Sequence, residues 1–127
     1  MSYILEIEIP VLPKSQTNNF GSHWGRSADK KKWLNLVYYA IKEAKRRPPD
    51  EPLQSASITF TRRSSAQPDY TNLVASFKPV EDALVTMGVI EDDSPKIIGY
   101  PTYRWEYAPP KKGGILVKVR ETSAVKR

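Results

Sequence analysis

Two hydrophobic periods alternate along this chain, one of two residues and one near 3.6, and their alternation constrains the fold more than any other feature. Tyr3, Leu5, Ile7 and Ile9 alternate with Ile4, Glu6 and Glu8, the pattern of a strand with one buried face. Pro10 and Pro13 end it, because proline brings no backbone donor to a ladder. Trp33, Val37, Ala40, Ile41 and Ala44 then recur at helical spacing. Ser27 or Asp29 stands as the cap, and Lys45, Arg46 and Arg47 come in the last turn before Pro48 and Pro49.

The period returns to two at Ala56, Ile58 and Phe60, which lead into Arg62 and Arg63. A second helical stripe runs through Leu73, Phe77, Val80, Leu84 and Met87, with Gly88 where a left-handed C-terminal cap belongs. Pro79 divides this stripe. The helix proper is expected to begin near Phe77, leaving a short separate turn around Asn72. Two further strands are expected over 96–107, where Tyr103, Trp105 and Tyr107 alternate, and over 115–120, where Ile115, Val117 and Val119 alternate. Residues 109–114 should join them as a basic, hairpin-like loop.

The order β-α-β-α-β-β predicts an α+β (mixed α/β) fold, a four-stranded sheet carrying two main helices. A chain of 127 residues is long enough for one core, so a single domain over 1–127 is expected, with 122–127 as a flexible tail. The sequence shows no leader-like or membrane-length apolar run, so the expected setting is cytoplasmic, with no membrane partner.

Composition narrows the chemistry. The chain has no cysteine and one histidine, His23, which excludes disulfides, thiolate catalysis and sites built from several soft ligands. Any metal must be held by oxygen. Twenty Lys and Arg against 14 Asp and Glu give a formal +6, a balance that favours a polyanionic partner through counterion release.

Asp69 precedes the second helical stripe, and Asp92 and Asp93 follow it. If the helix packs across neighbouring strands these carboxylates meet, and grouped carboxylates repel one another unless a proton or cation intervenes. Mg2+, or Mn2+ in its place, suits such hard donors. The competing expectation is that Asp69 caps a turn beside Pro68 while Asp92 and Asp93 solvate a loop. Lys78 lies four residues before Asp82, so it is read either as half of a surface ion pair or as a cation poised at a phosphate. The polar loop over 14–27 offers Asn18, Asn19, His23 and Arg26, followed by Lys30 and Lys31. Arg62, Arg63, Lys111 and Lys112 are further candidate phosphate contacts. Each basic pair is equally read as a solubilising one.

The stretch Pro68-Asp69-Tyr70-Thr71-Asn72-Leu73, then Lys78 and Asp82-Ala83-Leu84, then Gly88-Val89-Ile90-Glu91-Asp92-Asp93 resembles the signature of the RusA family of Holliday-junction resolvases. Leu12-Pro13-Lys14-Ser15 with Asn18-Asn19, and Trp33 in the basic helix, resemble the same family's opening. The resemblance implies a Mg2+-dependent endonuclease, a homodimer that nicks opposing strands of a four-way DNA junction. It assigns Asp69 and Asp93 as metal-binding aspartates and Lys78 as the catalytic lysine, with Asp92 and Asn72 at adjoining motif positions; no small-molecule cofactor is implied. Matching Lys78 requires a short insertion after Leu73. Thr71 stands where the family has its second aspartate, which leaves three alternatives: compensation by Asp92, a water held on Thr71, or a catalytically weakened protein that binds branched DNA.

Overall fold

The computed structural model describes residues 3–14 and 23–123, with side chains in the second stretch from Ala28 onward. The expected loop contacts Asn18 and Asn19, and the side chains of His23 and Arg26, lie outside the described residues. Eight elements follow in order: β1 (Ile4–Ile9), α1 (His23–Glu43), β2 (Ala56–Ser64), α2 (Tyr70–Ser76), α3 (Lys78–Thr86), α4 (Pro95–Ile98), β3 (Thr102–Tyr107) and β4 (Gly114–Glu121). The fold is α+β, with one four-stranded mixed sheet as expected.

The sheet order is β1-β4-β2-β3. β4 runs antiparallel to both β1 and β2, and β3 runs parallel to β2 at the far edge. The expected hairpin between the last two strands therefore does not form. β4 is the most regular apolar strand near the C-terminus, and it fits between two strands rather than beside β3. Its residues Ile115, Val117 and Val119 are buried in line with Leu5, Ile7 and Ile9 of β1 and with Ala56, Ile58 and Phe60 of β2. α1 and α3 cover this face with Trp33, Val37, Ile41, Val80 and Leu84, and the buried side chains make one continuous cluster. The opposite face presents Glu6, Glu8, Lys118 and Arg120, so β1 and β4 show the two-residue period read from the sequence, whereas in β3 Tyr107, expected to alternate with Tyr103 and Trp105, is exposed.

α1 begins at His23, one turn ahead of the expected caps, and this places Asp29 within the helix, buried, rather than at its start. Ala44, expected on the apolar stripe, lies past the helix end and is exposed. The second stripe breaks at Phe77. α2 is a two-turn helix rather than a single turn, and α3 starts afresh at Lys78 with Pro79 in its first turn, where a missing N–H costs nothing. Gly88 takes φ +77°. Its N–H donates to the Val85 carbonyl (3.0 Å) and that of Val89 to the Leu84 carbonyl (2.9 Å), which closes α3 in a Schellman motif.

The expected strand over 96–107 is shorter: α4 takes 95–98, where Pro95 opens a helical turn and Gly99 at φ +59° ends it. Thr122, expected in the tail, is tied to Ser55 through its N–H (3.0 Å) and hydroxyl (2.6 Å). Residues 124–127 lie outside the described residues.

Gly114 stands closer to neighbouring backbone than any other described glycine. A Cβ there would stand 2.5 Å from the Ile9 carbonyl oxygen and 3.0 Å from Pro10 Cα. Neither obstacle is a side chain that can rotate away. Gly114→Ala should therefore destabilise the protein by about 1–3 kcal/mol, read by denaturant unfolding; a loss below about 0.5 kcal/mol would show that β1 yields at no cost.

Candidate functional site

The break at Phe77 sets the geometry of the acidic region. Phe77 is fully buried, with its ring 4.8 Å from Phe60 and 6.0 Å from Tyr103 between centroids. That anchor fixes where α3 begins, and positions 78, 81 and 82 then fall on one helix face. Lys78 Nζ lies 3.2 Å from Asp82 Oδ1, the expected one-turn ion pair. It also lies 2.5 Å from Asp93 Oδ2, delivered by the loop beyond the Schellman cap. Lys78 and Asp93, assigned to one site from separate motif blocks, are in direct contact.

Glu81 joins them. The Tyr103 hydroxyl donates to Glu81 Oε1 at 2.5 Å, and the Tyr103 ring is stacked on Phe60 at 5.4 Å and 16°. Sequence reasoning missed this pair. The usable signal was the spacing of Glu81 from Lys78, three residues along a helix, while Tyr103 read only as one ring of an alternating strand.

Charge follows contact. The hydrogen bond from Lys78 holds the Asp93 carboxyl below the ordinary carboxylate range. The Asp93 and Asp82 carboxylates in turn hold the Lys78 ammonium above its ordinary value, Asp93 contributing most. Burial pushes the Glu81 carboxyl up, against the Tyr103 hydrogen bond and the nearby Lys78 charge. Burial foremost, and then Glu81, raise the Tyr103 phenol. The depressed Asp93 stabilises the fold above its unfolded pKa, and that contribution is lost as pH falls through the lower folded value. The elevated Lys78 contributes below its unfolded pKa, and that contribution is lost as pH rises through the higher folded value. The clamp is thus fully charged from roughly pH 5 to pH 9.

The other expected site residues are placed as follows. Asp69 is the N-cap of α2: one oxygen accepts the Asn72 backbone N–H (2.9 Å) and the other its side-chain amide (3.0 Å). Thr71 is exposed in the first turn of α2, and Asp92 is exposed on a broad groove of mixed lining with Glu91, Ser94, Lys96 and Ile97. Lys30 and Lys31 line, with Leu34, Asp82, Ala83 and Thr86, a mainly apolar depression of about 210 Å³ between α1 and α3, so the packing of these helices sets two candidate phosphate contacts near the acidic region.

Arg62 and Arg63 have partners within the protein. Arg62, half-buried, donates to the Pro13 carbonyl (2.9 Å), and Arg63 bridges Glu8 (2.7 Å) and Glu106 (3.1 Å) across the open sheet face. Lys111 and Lys112 are exposed on the β3–β4 connection beside the C-terminal end of β2, where Arg63 pairs with Gly114. The acidic loop instead follows Ile90, which bridges Leu53 ahead of the N-terminal end of β2. These two lysines and the acidic loop are not brought together.

No protein-family model matches this chain, and no curated protein matches it. Among the described residues no helix is long and apolar enough to cross a membrane.

The donors around Lys78 are carboxylate oxygens, the chemistry Mg2+ and Mn2+ prefer. Their arrangement does not fit a preformed site for either ion. Among the described residues no three of His, Cys, Asp and Glu gather as a metal-holding group. The space between Asp82 and Asp93 is taken by the Lys78 ammonium, and both oxygens of Asp69 are engaged by Asn72.

Proposed function

We propose that this protein is a structure-selective DNA endonuclease of the RusA type, acting on four-way junctions as a homodimer and requiring Mg2+ or Mn2+. The observation that carries this reading is the direct contact of Lys78 with Asp93, the lysine and the terminal aspartate of the motif, which lie fifteen residues apart in the chain. An ammonium beside carboxylates at an exposed edge is suited to stabilise charge that develops on a phosphate oxygen. Lys30 and Lys31 beside Asp82, and the formal +6 of the chain, support a phosphate backbone as the partner.

A junction needs two cuts, and one acidic cluster per chain supports a twofold pair. Tyr100 and Tyr107, 89% and 64% exposed at the ends of the β3 region, are one exposed aromatic surface that such a pair could use, Tyr39 and Tyr70 being exposed elsewhere. A second reading, a branched-DNA-binding protein that does not cut, is favoured by neutral Thr71 and by the use of Asp69 as a helix cap.

The deciding experiment compares a labelled four-way junction with a matched linear duplex across a Mg2+ titration at constant ionic strength. Paired, symmetric nicks in the junction alone are expected. Tight junction binding without nicks in Mg2+ or Mn2+ would establish the second reading. Binding that is absent, or indifferent to salt, would sink both, since phosphate neutralisation weakens steeply as salt rises.

A further inference from the structure

We infer that the outer edge of β3 binds a second copy of this chain, strand to strand and antiparallel, in a register centred on Trp105. The inference rests on the proposed function for the expectation of a pair and names the surface that forms it. β3 is an edge strand, and among the described residues no strand lies beyond it. In its parallel pairing with β2, Tyr107 is level with Ser64, and the Ala108 N–H donates to the Ser64 carbonyl (3.1 Å). Backbone groups along a strand point alternately to either side. Arg104, Glu106 and Ala108 are therefore turned towards β2, and Tyr103, Trp105 and Tyr107 present their N–H and C=O groups at the open edge. Such a row is a template for another strand.

The side chains select which strand it accepts. Antiparallel pairing sets outward residues opposite outward residues, which leaves few registers for two copies related by a twofold axis. A register centred on Arg104 sets arginine opposite arginine, and one centred on Glu106 sets glutamate opposite glutamate. Centred on Trp105, Arg104 of each copy falls opposite Glu106 of the other, and Tyr103 falls opposite Tyr107 on the helix-covered face. Opposite charges and aromatic rings directly across strands stabilise the pairing, and like charges destabilise it. The groups are available. Arg104 is exposed, and its side chain makes no hydrogen bond or ion pair among the described residues. The Glu106 side chain accepts from Arg63 at one oxygen and is 54% exposed. β1, the other edge, offers no such match. The Glu121 N–H donates to the Tyr3 carbonyl (2.9 Å), so Ile4, Glu6 and Glu8 are its outward residues, and registers centred on Glu6, Ile7 or Glu8 set glutamate opposite glutamate. The Tyr103 hydroxyl is bonded to Glu81, so pairing through β3 places the two acidic clusters on either side of the axis.

The test is sedimentation equilibrium of the full chain across a concentration series, without DNA. The unmodified protein should form dimers. Arg104→Glu alters an exposed side chain that has no partner, and it makes both charge contacts across the axis repulsive, so the dimer dissociation constant should rise at least about tenfold. Glu106→Arg should weaken pairing in the same way. An equimolar mixture of the two variants restores both opposite-charge contacts and should form heterodimers about as tight as the unmodified pair. Unweakened pairing by Arg104→Glu overturns the inference, as does a mixture that stays dissociated, an assembly larger than a dimer, or an unmodified protein that is monomeric up to about 1 mM. Thermal unfolding confirms that each variant is folded. If Glu106→Arg is not, Arg104→Cys mixed with Glu106→Cys takes the place of the mixture. The chain has no cysteine of its own, and under oxidising conditions a disulfide should link one variant to the other and not either to itself; its absence is equally decisive against the register. A dimer that ignores these substitutions sinks this interface and leaves the proposed nuclease standing, while a pair that passes here can still fail to cut junctions, so the two fall separately.

Discussion

Asp93→Asn is expected to lower junction cleavage by at least about a hundredfold, the scale set by removing one transition-state electrostatic contact, while junction binding stays equal or becomes tighter. Asp93 is the carboxylate in closest contact with Lys78, and Lys78 holds it charged well into mild acid. The amide keeps nearly the same shape but carries no charge, so it supports neither a cation nor the Lys78 clamp. Binding responds in the opposite sense, because a negative charge beside the expected phosphate path is removed. Single-turnover cleavage and gel-shift titration on the same junction read the two effects. Cleavage within about tenfold of the unmodified protein would remove Asp93 from the site, and a parallel loss of binding would indicate a folding defect instead.

The periodicities made the strands and the two main helix stripes legible because each element buries one face, and burial of one face is what a period records. Their order in space was not legible. β4 lies between β1 and β2 because its apolar face fits there, a long-range choice that no local pattern encodes. The hairpin expectation failed for the same reason: turn residues such as Pro109, Pro110, Gly113 and Gly114 permit a reversal but do not require the strands they join to be neighbours. In that connection the left-handed conformation falls on Lys111, at φ +68°, and not on either glycine.

At the candidate site, the contact of Lys78 with Asp82 followed from helical spacing alone, while its contact with Asp93 depended on how the chain returns after Gly88. Asp69 was read both as the cap of a turn beside Pro68 and as a metal ligand. Its bonds to Asn72 show the cap directly, since short carboxylates are drawn to unpaired N–H groups at helix starts wherever they occur. Arg63 was read as a candidate phosphate contact or a solubilising residue, and a single sequence cannot show that Glu8 and Glu106 arrive on either side of it from two other strands.

Phe77→Ala should cost about 3–5 kcal/mol of stability and should disturb the acidic cluster before it disturbs the sheet. Phe77 is the residue at which α2 ends and α3 begins. Its ring is fully buried between Phe60 on the sheet and Tyr103 at the edge. Truncation removes both aromatic contacts and leaves a cavity under the start of α3, the segment that carries Lys78, Glu81 and Asp82. Phe77→Leu fills most of the same volume and should cost about 1.5 kcal/mol or less. Denaturant unfolding measures the stabilities. Amide exchange separates the two regions: in Phe77→Ala, protection over 81–86, the amides bonded within α3 and to its cap, should fall well before protection over β4, which pairs on both sides with β1 and β2. Equal loss of protection in both regions would mean that α3 has no stability independent of the sheet. In that case the cluster around Lys78 is held by global folding, and the aromatic anchor at Phe77 has no separate part in positioning it.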